Sequence, residues 1–346
     1  MTDEIGTFLL SDKPMRAKRL LIAILRWVGR ILLVGLCLFL SLIIYLLVRE
    51  SLTRSNYQAE YPPPGKMVSL ETYDIHLYCV GAGSPTVVFE SDLDQYGSLS
   101  WNSVQGEIGK STRACSYDRA GILWSEPGPL PRDGEMIASE LGAVLDAAGE
   151  NGPYVMVGHA FGGAYVRILA GQNPDDVSGM VLVESSHPEM LTRFEEYGVV
   201  PEIPDKNIRP LILLLSHLGM PGRNGTTYDL SPEIADPVQA FLPQSSMAWF
   251  DEKVEAPNTL AQAGQYEYLG DLPLIVIATS KPPSIDRGQI LDDLWLELQQ
   301  ELLSLSENSE IRIYEGGHYP QLQSPELVIE AIQDVHVSCE ETLPLP

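Results

Sequence analysis

Residues 154–170 read YVMVGHAFGGAYVRILA. The apolar run Tyr154-Val155-Met156-Val157 is strand-like, and the stretch from Ala164 to Ala170 is helical in pattern. A strand entering a tight glycine-flanked turn and leaving as a helix builds the G-x-S-x-G elbow, which holds a serine nucleophile clear of the sheet. At the tip of this elbow stands Ala160. A methyl group cannot attack a carbonyl carbon or carry an acyl group. Loss of one member of a nucleophile, base and acid set costs several orders of magnitude, leaving what binding and oxyanion stabilisation provide. Residues 158–163 are therefore arranged for covalent acyl chemistry but lack its reactive atom. No metal-ligand cluster, dinucleotide fingerprint or phosphate loop is present in the sequence, so no metal and no cofactor is expected.

Such an elbow needs a sheet beneath it. From residue 66 the chain alternates strand, turn and helix. "KMVSLETYDIHLYCV" reads as a hairpin, "TVVF" (86–89) as a short buried strand, and Trp101, Val104 and Ile108 share one helical face. "RACSYD" is a further strand, and Asp133 can cap a helix that turns Ile137, Leu141, Val144 and Leu145 inward. After the elbow come "GMVLVE", "PLIVIA", a helix over 291–303, the strand "IRIYE" and a last helix starting at Pro325. Undiluted apolar strands alternating with helices predict a mainly parallel sheet covered on both faces. Between 187 and 265 the rhythm stops. Scattered prolines and the apolar stretch "PLILLLSHLGM" predict a cap over the site, with a small, partly apolar molecule as its ligand.

The formal net charge of the 346-residue chain is −25. Residues 1–54 hold eight Lys/Arg and four Asp/Glu, leaving 14 basic and 43 acidic residues, or −29, in the body. With no basic patch in so acidic a body, nucleic acid is excluded as a partner. Ile31 to Val48 is an 18-residue run without a charge, long enough to cross most of a hydrocarbon core of about 30 Å. Six basic residues between Lys13 and Arg30 precede it, which predicts a cytoplasmic N-terminus and a folded body on the other side. The following residues offer no clear small-x-small cleavage site, so an uncleaved signal-anchor in contact with membrane lipid is expected. The segments expected are thus 1–30 basic, 31–48 transmembrane, 49–65 linker with Pro62-Pro63-Pro64, 66–186 first core part, 187–265 cap and 266–340 second core part. Of the four cysteines, Cys37 lies in the span, while Cys79 and Cys115 end or occupy strands and are either paired or two buried thiols. Asn224-Gly225-Thr226 is a glycosylation acceptor by pattern.

Five pieces in order, "GSPTVVFES", "SYDRAG", "GHAFGG", "VLVESSHPE" and "GGHYPQLQSPELVIEAI", make residues 66–338 resemble the α/β-hydrolase superfamily. The resemblance implies an α/β-hydrolase fold: a mostly parallel eight-stranded sheet with flanking helices, its second strand antiparallel, and a cap after strand six. In that strand order the strands of Cys79 and Cys115 are neighbours, which implies a disulfide. The resemblance places the general base at His318 and the acid at Glu184 after strand six, with Asp286 as the alternative after strand seven. His159 is then a packing or turn-orienting residue, and His187 belongs to the loop after strand six. The N–H groups of Leu93 and Phe161 take the place of the oxyanion donors.

The chain departs from that pattern in three motifs. Ala160 replaces serine. The loop after "VVFES" carries Asp92 and Asp94 around Leu93, where relatives commonly have glycines, and a carboxylate there opposes a developing negative charge. Leu123 stands where relatives place glycine. Four departures spread over three motifs point to natural repurposing rather than an engineered Ser-to-Ala trap. The reading is a membrane-anchored relative of ester or amide hydrolases, a pseudoenzyme that binds a small apolar ligand. The alternatives are a hydrolase or lyase using the His318–Glu184 dyad without a covalent intermediate, and a membrane-tethered interaction module.

Overall fold

The computed structural model describes residues 13–200, 202–220, 230–280 and 289–342. These fall into two units divided between Thr53 and Arg54. The first unit is helical. Helix α1 spans Lys13–Glu60, and its residues from Met15 on contain an 18-residue window of mean hydropathy 3.1 with none of it buried. Apolar side chains such as Leu32, Leu36 and Phe39 are exposed all along it, as a helix surrounded by lipid requires. The helix runs through much of the segment expected to be a linker. No proline or glycine occurs from 49 to 61, so nothing stops it before Pro62.

In the body, β1 (Lys66–Ser69), β2 (Asp74–Val80), β3 (Thr86–Glu90), β4 (Ala114–Tyr117), β5 (Tyr154–His159), β6 (Val177–Val183), β7 (Leu274–Thr279) and β8 (Ser309–Tyr314) form one sheet in the order β1-β2-β4-β3-β5-β6-β7-β8. β2 runs antiparallel to both of its neighbours, and all other pairings are parallel. The helices are α2 (Asn102–Ile108), α3 (Gly134–Ala148), α4 (Phe161–Gln172), α5 (Met190–Glu196), α6 (Arg209–His217), α7 (Pro232–Ala263), α8 (Gln289–Glu301), α9 (Pro320–Gln323) and α10 (Pro325–Thr342). Alternate residues of a strand face opposite sides of the sheet. Met156 and Leu182 accordingly join the core under α3 and α4, while Val155, Val157 and Val181 join the one that contains Val328 and Ile332 of α10. Every residue of β3, β5 and β7 is buried, which is why these segments are undiluted apolar runs in the sequence. Truncating Met156 to Ala in this core would cost about 2–5 kcal/mol.

Cys79 and Cys115 lie opposite each other in the β2–β4 register and form a disulfide. Asp133 caps α3, its side chain accepting the Met136 N–H. The cap segment between β6 and β7 holds α5, α6 and α7. The 32-residue α7 is unexpected, because Pro237, Pro243 and Pro257 lie inside it and each removes a helical hydrogen bond. Burial of Phe241, Phe250 and Leu260 along its length outweighs that local penalty. Asp286 and Asn224-Gly225-Thr226 lie outside the described residues.

Candidate functional site

Sheet order brings the site residues together. β3 lies between β4 and β5, so the chain leaves β3 to one side and later returns on the other. The crevice at such a switch point is where open α/β sheets take ligands. Glu90 pairs with Gly158, which sets the loop after β3 beside the turn after β5. His159 pairs with Val183, so Ala160 and Glu184 are the next residues on adjacent strands. Both have positive φ, +48° at Ala160 and +50° at Glu184. Left-handed backbone at a residue with a Cβ costs on the order of 1–3 kcal/mol and persists where surrounding structure imposes it. Here the turn is that tight: a Cβ on Gly162 would lie 2.5 Å from the Glu90 carbonyl oxygen, and one on Gly158 would lie 2.7 Å from the Gly162 backbone.

Leu93, Ala160, Phe161 and His318 line one cavity of about 590 Å³ together with Asp92. Its remaining wall is largely apolar and includes Met190, Phe194, Trp249 and Trp295. Asp92 turns its carboxylate onto the two N–H groups named from the sequence. Oδ1 accepts from the Leu93 N–H at 2.7 Å and from the Phe161 N–H at 3.1 Å. Oδ2 stands 3.7 Å from Nε2 of His318, and the other ring nitrogen, Nδ1, stands 3.6 Å from Oε2 of Glu184. Glu184 is fully buried; its Oε1 accepts from the Thr279 N–H, while Oε2 has no hydrogen-bond partner. His318 thus sits between two carboxylates, one on the cavity wall and one beneath it.

The charge state follows from this placement. Burial would lower the His318 pKa, but Asp92 and Glu184 outweigh it and push the ring up to about 10. Burial would raise the Asp92 carboxyl; the facing His318 and the Phe161 N–H reverse that and hold it well below the ordinary carboxylate range. At neutral pH the site is a carboxylate–imidazolium pair. A resting imidazolium donates a proton; it does not take one from water.

Two expected members stand elsewhere. Asp94 does not line the cavity: its Oδ1 accepts the Tyr96 N–H at 2.8 Å, and burial followed by the nearby Asp92 pushes its carboxyl up to about 8. Of these two aspartates it is Asp92 that opposes charge at the donors. Leu123, with φ +44°, is buried in a cluster with Ile234, Val238 and Phe241. Its N–H donates to Ser245 and its carbonyl accepts from Gln244, so α7 supports the strained backbone from outside the site. His159 orients a backbone: its Nε2–H donates to the His318 carbonyl at 2.7 Å, and burial, then the nearby His318, lowers its pKa to about 4. His187 lies 3.6 Å from Glu301, away from the turn.

The residues that hold the Asp92 loop were not singled out from sequence. Arg119 donates to the carbonyls of Ser91 and Asp92 at 2.9 and 2.6 Å, and it pairs with buried Glu90 and with Glu252 of α7. Trp249 of α7 donates to the Leu93 carbonyl at 3.1 Å. The available signal was a cation, Arg119 in "SYDRAG", next to buried strands, where a charge requires a partner.

The profile described as alpha/beta hydrolase family matches residues 81–331. An uncharacterized vacuolar membrane protein of Saccharomyces cerevisiae is 32% identical over 140 residues, 36% of this chain and 22% of that protein. The chain thus spans about a fifth of that relative's length. The uncharacterized protein YqjL of Bacillus subtilis is 25% identical over 269 residues, 77% of this chain and 89% of its own. Among solved structures, a thermophilic esterase from Thermogutta terrifontis aligns with a TM-score of 0.55 at 15% identity, covering 78% of this chain and 98% of the esterase. At that identity the likeness is one of fold.

Proposed function

This chain belongs to the alpha/beta hydrolase family, and from that premise we propose that it is a membrane-anchored member in which serine acyl transfer is closed. The cavity under the cap binds a small, partly apolar ligand. The observation that carries this reading is the Asp92 carboxylate on the Leu93 and Phe161 N–H groups. The oxyanion of a tetrahedral intermediate would have to displace that carboxylate and then develop beside it. Donors of this kind are worth about 100- to 1,000-fold each in rate. Ala160, as the occupant of the nucleophile position, closes the same route a second time. The protonated state of His318 speaks against a dyad that activates water directly. With respect to serine chemistry the protein is a pseudoenzyme.

The apolar wall selects the body of the ligand, and the Asp92–His318 pair meets its polar end. The helix over 31–48 associates the chain with a membrane, and the basic residues before it favour a cytoplasmic N-terminus. A disulfide in the body agrees with an oxidising compartment across that membrane. One observation favours a second reading, a tethered interaction module: Leu211, Leu213 and Leu214 of α6 are exposed.

The test is ester turnover by the full-length protein in detergent, as Ala160→Ser, as Asp92→Gly and as the double variant. Turnover is expected from the double variant alone. A single Ala160→Ser exchange that restores full turnover would mean the donors are open and Asp92 is no obstacle.

A further inference from the structure

Three arginines are buried among the described residues: Arg119, Arg132 and Arg167. Arg119 meets Glu252 through Nε and Nη2 at 2.9 Å each, and Arg132 meets Glu140 through Nη1 and Nη2 at 2.8 Å each. Arg167 of α4 is 7% exposed and is built differently. Its Nε donates to the Tyr266 carbonyl at 3.0 Å, while Nη1 and Nη2 make no hydrogen bond and no ion pair among the described residues. We propose that Arg167 is the centre of a binding site for a small oxyanion of the phosphate type, at the base of the cap and separate from the cavity.

A buried cation without a countercharge costs several kcal/mol, which is why Arg119 and Arg132 each have a carboxylate. Burial lowers the Arg167 pKa to about 10, and Glu267 only offsets that, so the guanidinium stays charged at neutral pH. The body carries 43 acidic residues beyond residue 54, yet none of them closes an ion pair here. The place is also particular. The two ends of the cap segment meet beside Arg167: a Cβ on Gly264 would lie 3.3 Å from the Pro188 side chain. Tyr266, whose carbonyl Arg167 holds, packs its ring on α4, where a Cβ on Gly171 would lie 2.1 Å from it. At the other end of the cap, burial lowers the His187 pKa, Glu301 offsets this, and the Arg167 charge lowers it further. Arg167 therefore adjoins both ends of the insertion and does not line the cavity.

An oxyanion suits this position better than a cation does. His187, Glu189 and Glu301 bring three potential metal-ligand atoms together nearby. Arg193 already pairs with Glu189 at 3.5 Å and with Glu301 at 3.3 Å, and the Arg167 charge adds to the repulsion of a metal ion. A guanidinium with both terminal nitrogens free presents a planar fork, which matches two oxygens of one phosphate group. Glu267 and Glu301 oppose such an anion, so a compact one is favoured over a bulky polyanion. Once bound, it supplies the missing countercharge where α4 meets both ends of the cap, and so favours the seated cap.

The experiment is thermal unfolding of the full-length protein in detergent micelles, with inorganic phosphate replacing chloride at constant ionic strength. The midpoint is expected to rise with the logarithm of phosphate concentration once the site fills, and to stay level in Arg167→Gln. Phosphatidic acid in the micelles is the second arm. A rise with phosphate identifies a free anion, and a rise with the phospholipid alone identifies a headgroup. No rise in either arm, or an equal rise in Arg167→Gln, overturns the site. Chemical denaturation without phosphate tests the missing countercharge by itself. Arg167→Gln is expected to unfold at the same denaturant concentration as the unaltered protein or later, whereas Arg132→Gln unfolds earlier. A loss at Arg167 as large as at Arg132, or failure of Arg167→Gln to fold, would mean that the protein already neutralises this arginine, and overturns the proposal. Glu267→Gln is expected to keep its stability and to respond at lower phosphate. Loss of stability there would make Glu267 the countercharge, with the same consequence.

Discussion

Of the histidines in this body that face carboxylates, His76 and His318 are built in opposite ways. His76 on β2 and Asp118 after β4 are both fully buried, 2.8 Å apart, and closed on every side. His76 Nε2 accepts the Gly65 N–H, and the second oxygen of Asp118 accepts the Ser98 N–H. His318 stands 3.6 and 3.7 Å from its two carboxylates, with a quarter of its side chain exposed. The first arrangement has no room for another molecule and no unused atom. The second has long contacts, an unpartnered Glu184 oxygen and an adjoining cavity. Tight satisfaction belongs to structure, and loose satisfaction beside a cavity belongs to chemistry.

If that contrast is right, the two pairs respond differently to substitution. His76→Ala leaves one oxygen of the buried Asp118 carboxylate and the Gly65 N–H without partners, and is expected to cost about 3–5 kcal/mol in chemical denaturation. Reducing the Cys79–Cys115 bridge, which spans a separation of 36 residues between the strands bearing that pair, is expected to cost roughly 2–4 kcal/mol by the same measurement. His318→Gln is expected to cost less than His76→Ala, since the ring is partly solvated and gives up only long contacts. A large loss at His318 or a small one at His76 would erase the distinction.

Titration sharpens it further. A His318 pKa raised to about 10 stabilises the fold fully below about pH 6.5, the unfolded value, and that contribution is lost as pH rises through 10. Histidine NMR should therefore find this ring protonated at pH 8, and should find its pKa lowered in Asp92→Asn. His159 has the opposite sign. With its pKa lowered to about 4, its contribution is present above about pH 6.5 and is lost as pH falls toward 4.

Much of this was legible in the residues. Apolar runs marked the central strands because both faces of each are covered. Ala160, His318 and Glu184 were placed by motif order, and Leu93 and Phe161 by their position after β3 and after the turn. The aspartate that would enter the site was not legible. Asp92 and Asp94 are two residues apart in the same loop, and the choice depends on Arg119, Trp249 and the Tyr96 N–H, each fixed by tertiary packing. Helix α7 was hidden for a similar reason: three prolines argue locally against a helix that only its buried face sustains. The end of α1 at Glu60 was also missed, although the absence of any breaker before Pro62 was on the surface of the sequence.

The most direct measurement is the rate at which a fluorophosphonate labels full-length Ala160→Ser, followed by intact mass, with and without Asp92→Gly. A phosphonyl oxygen needs the same two N–H groups that Asp92 occupies. Slow labelling of the single variant, accelerated about 100-fold or more by the second substitution, is the result predicted. Equal labelling of both would contradict the claim that Asp92 closes the serine route.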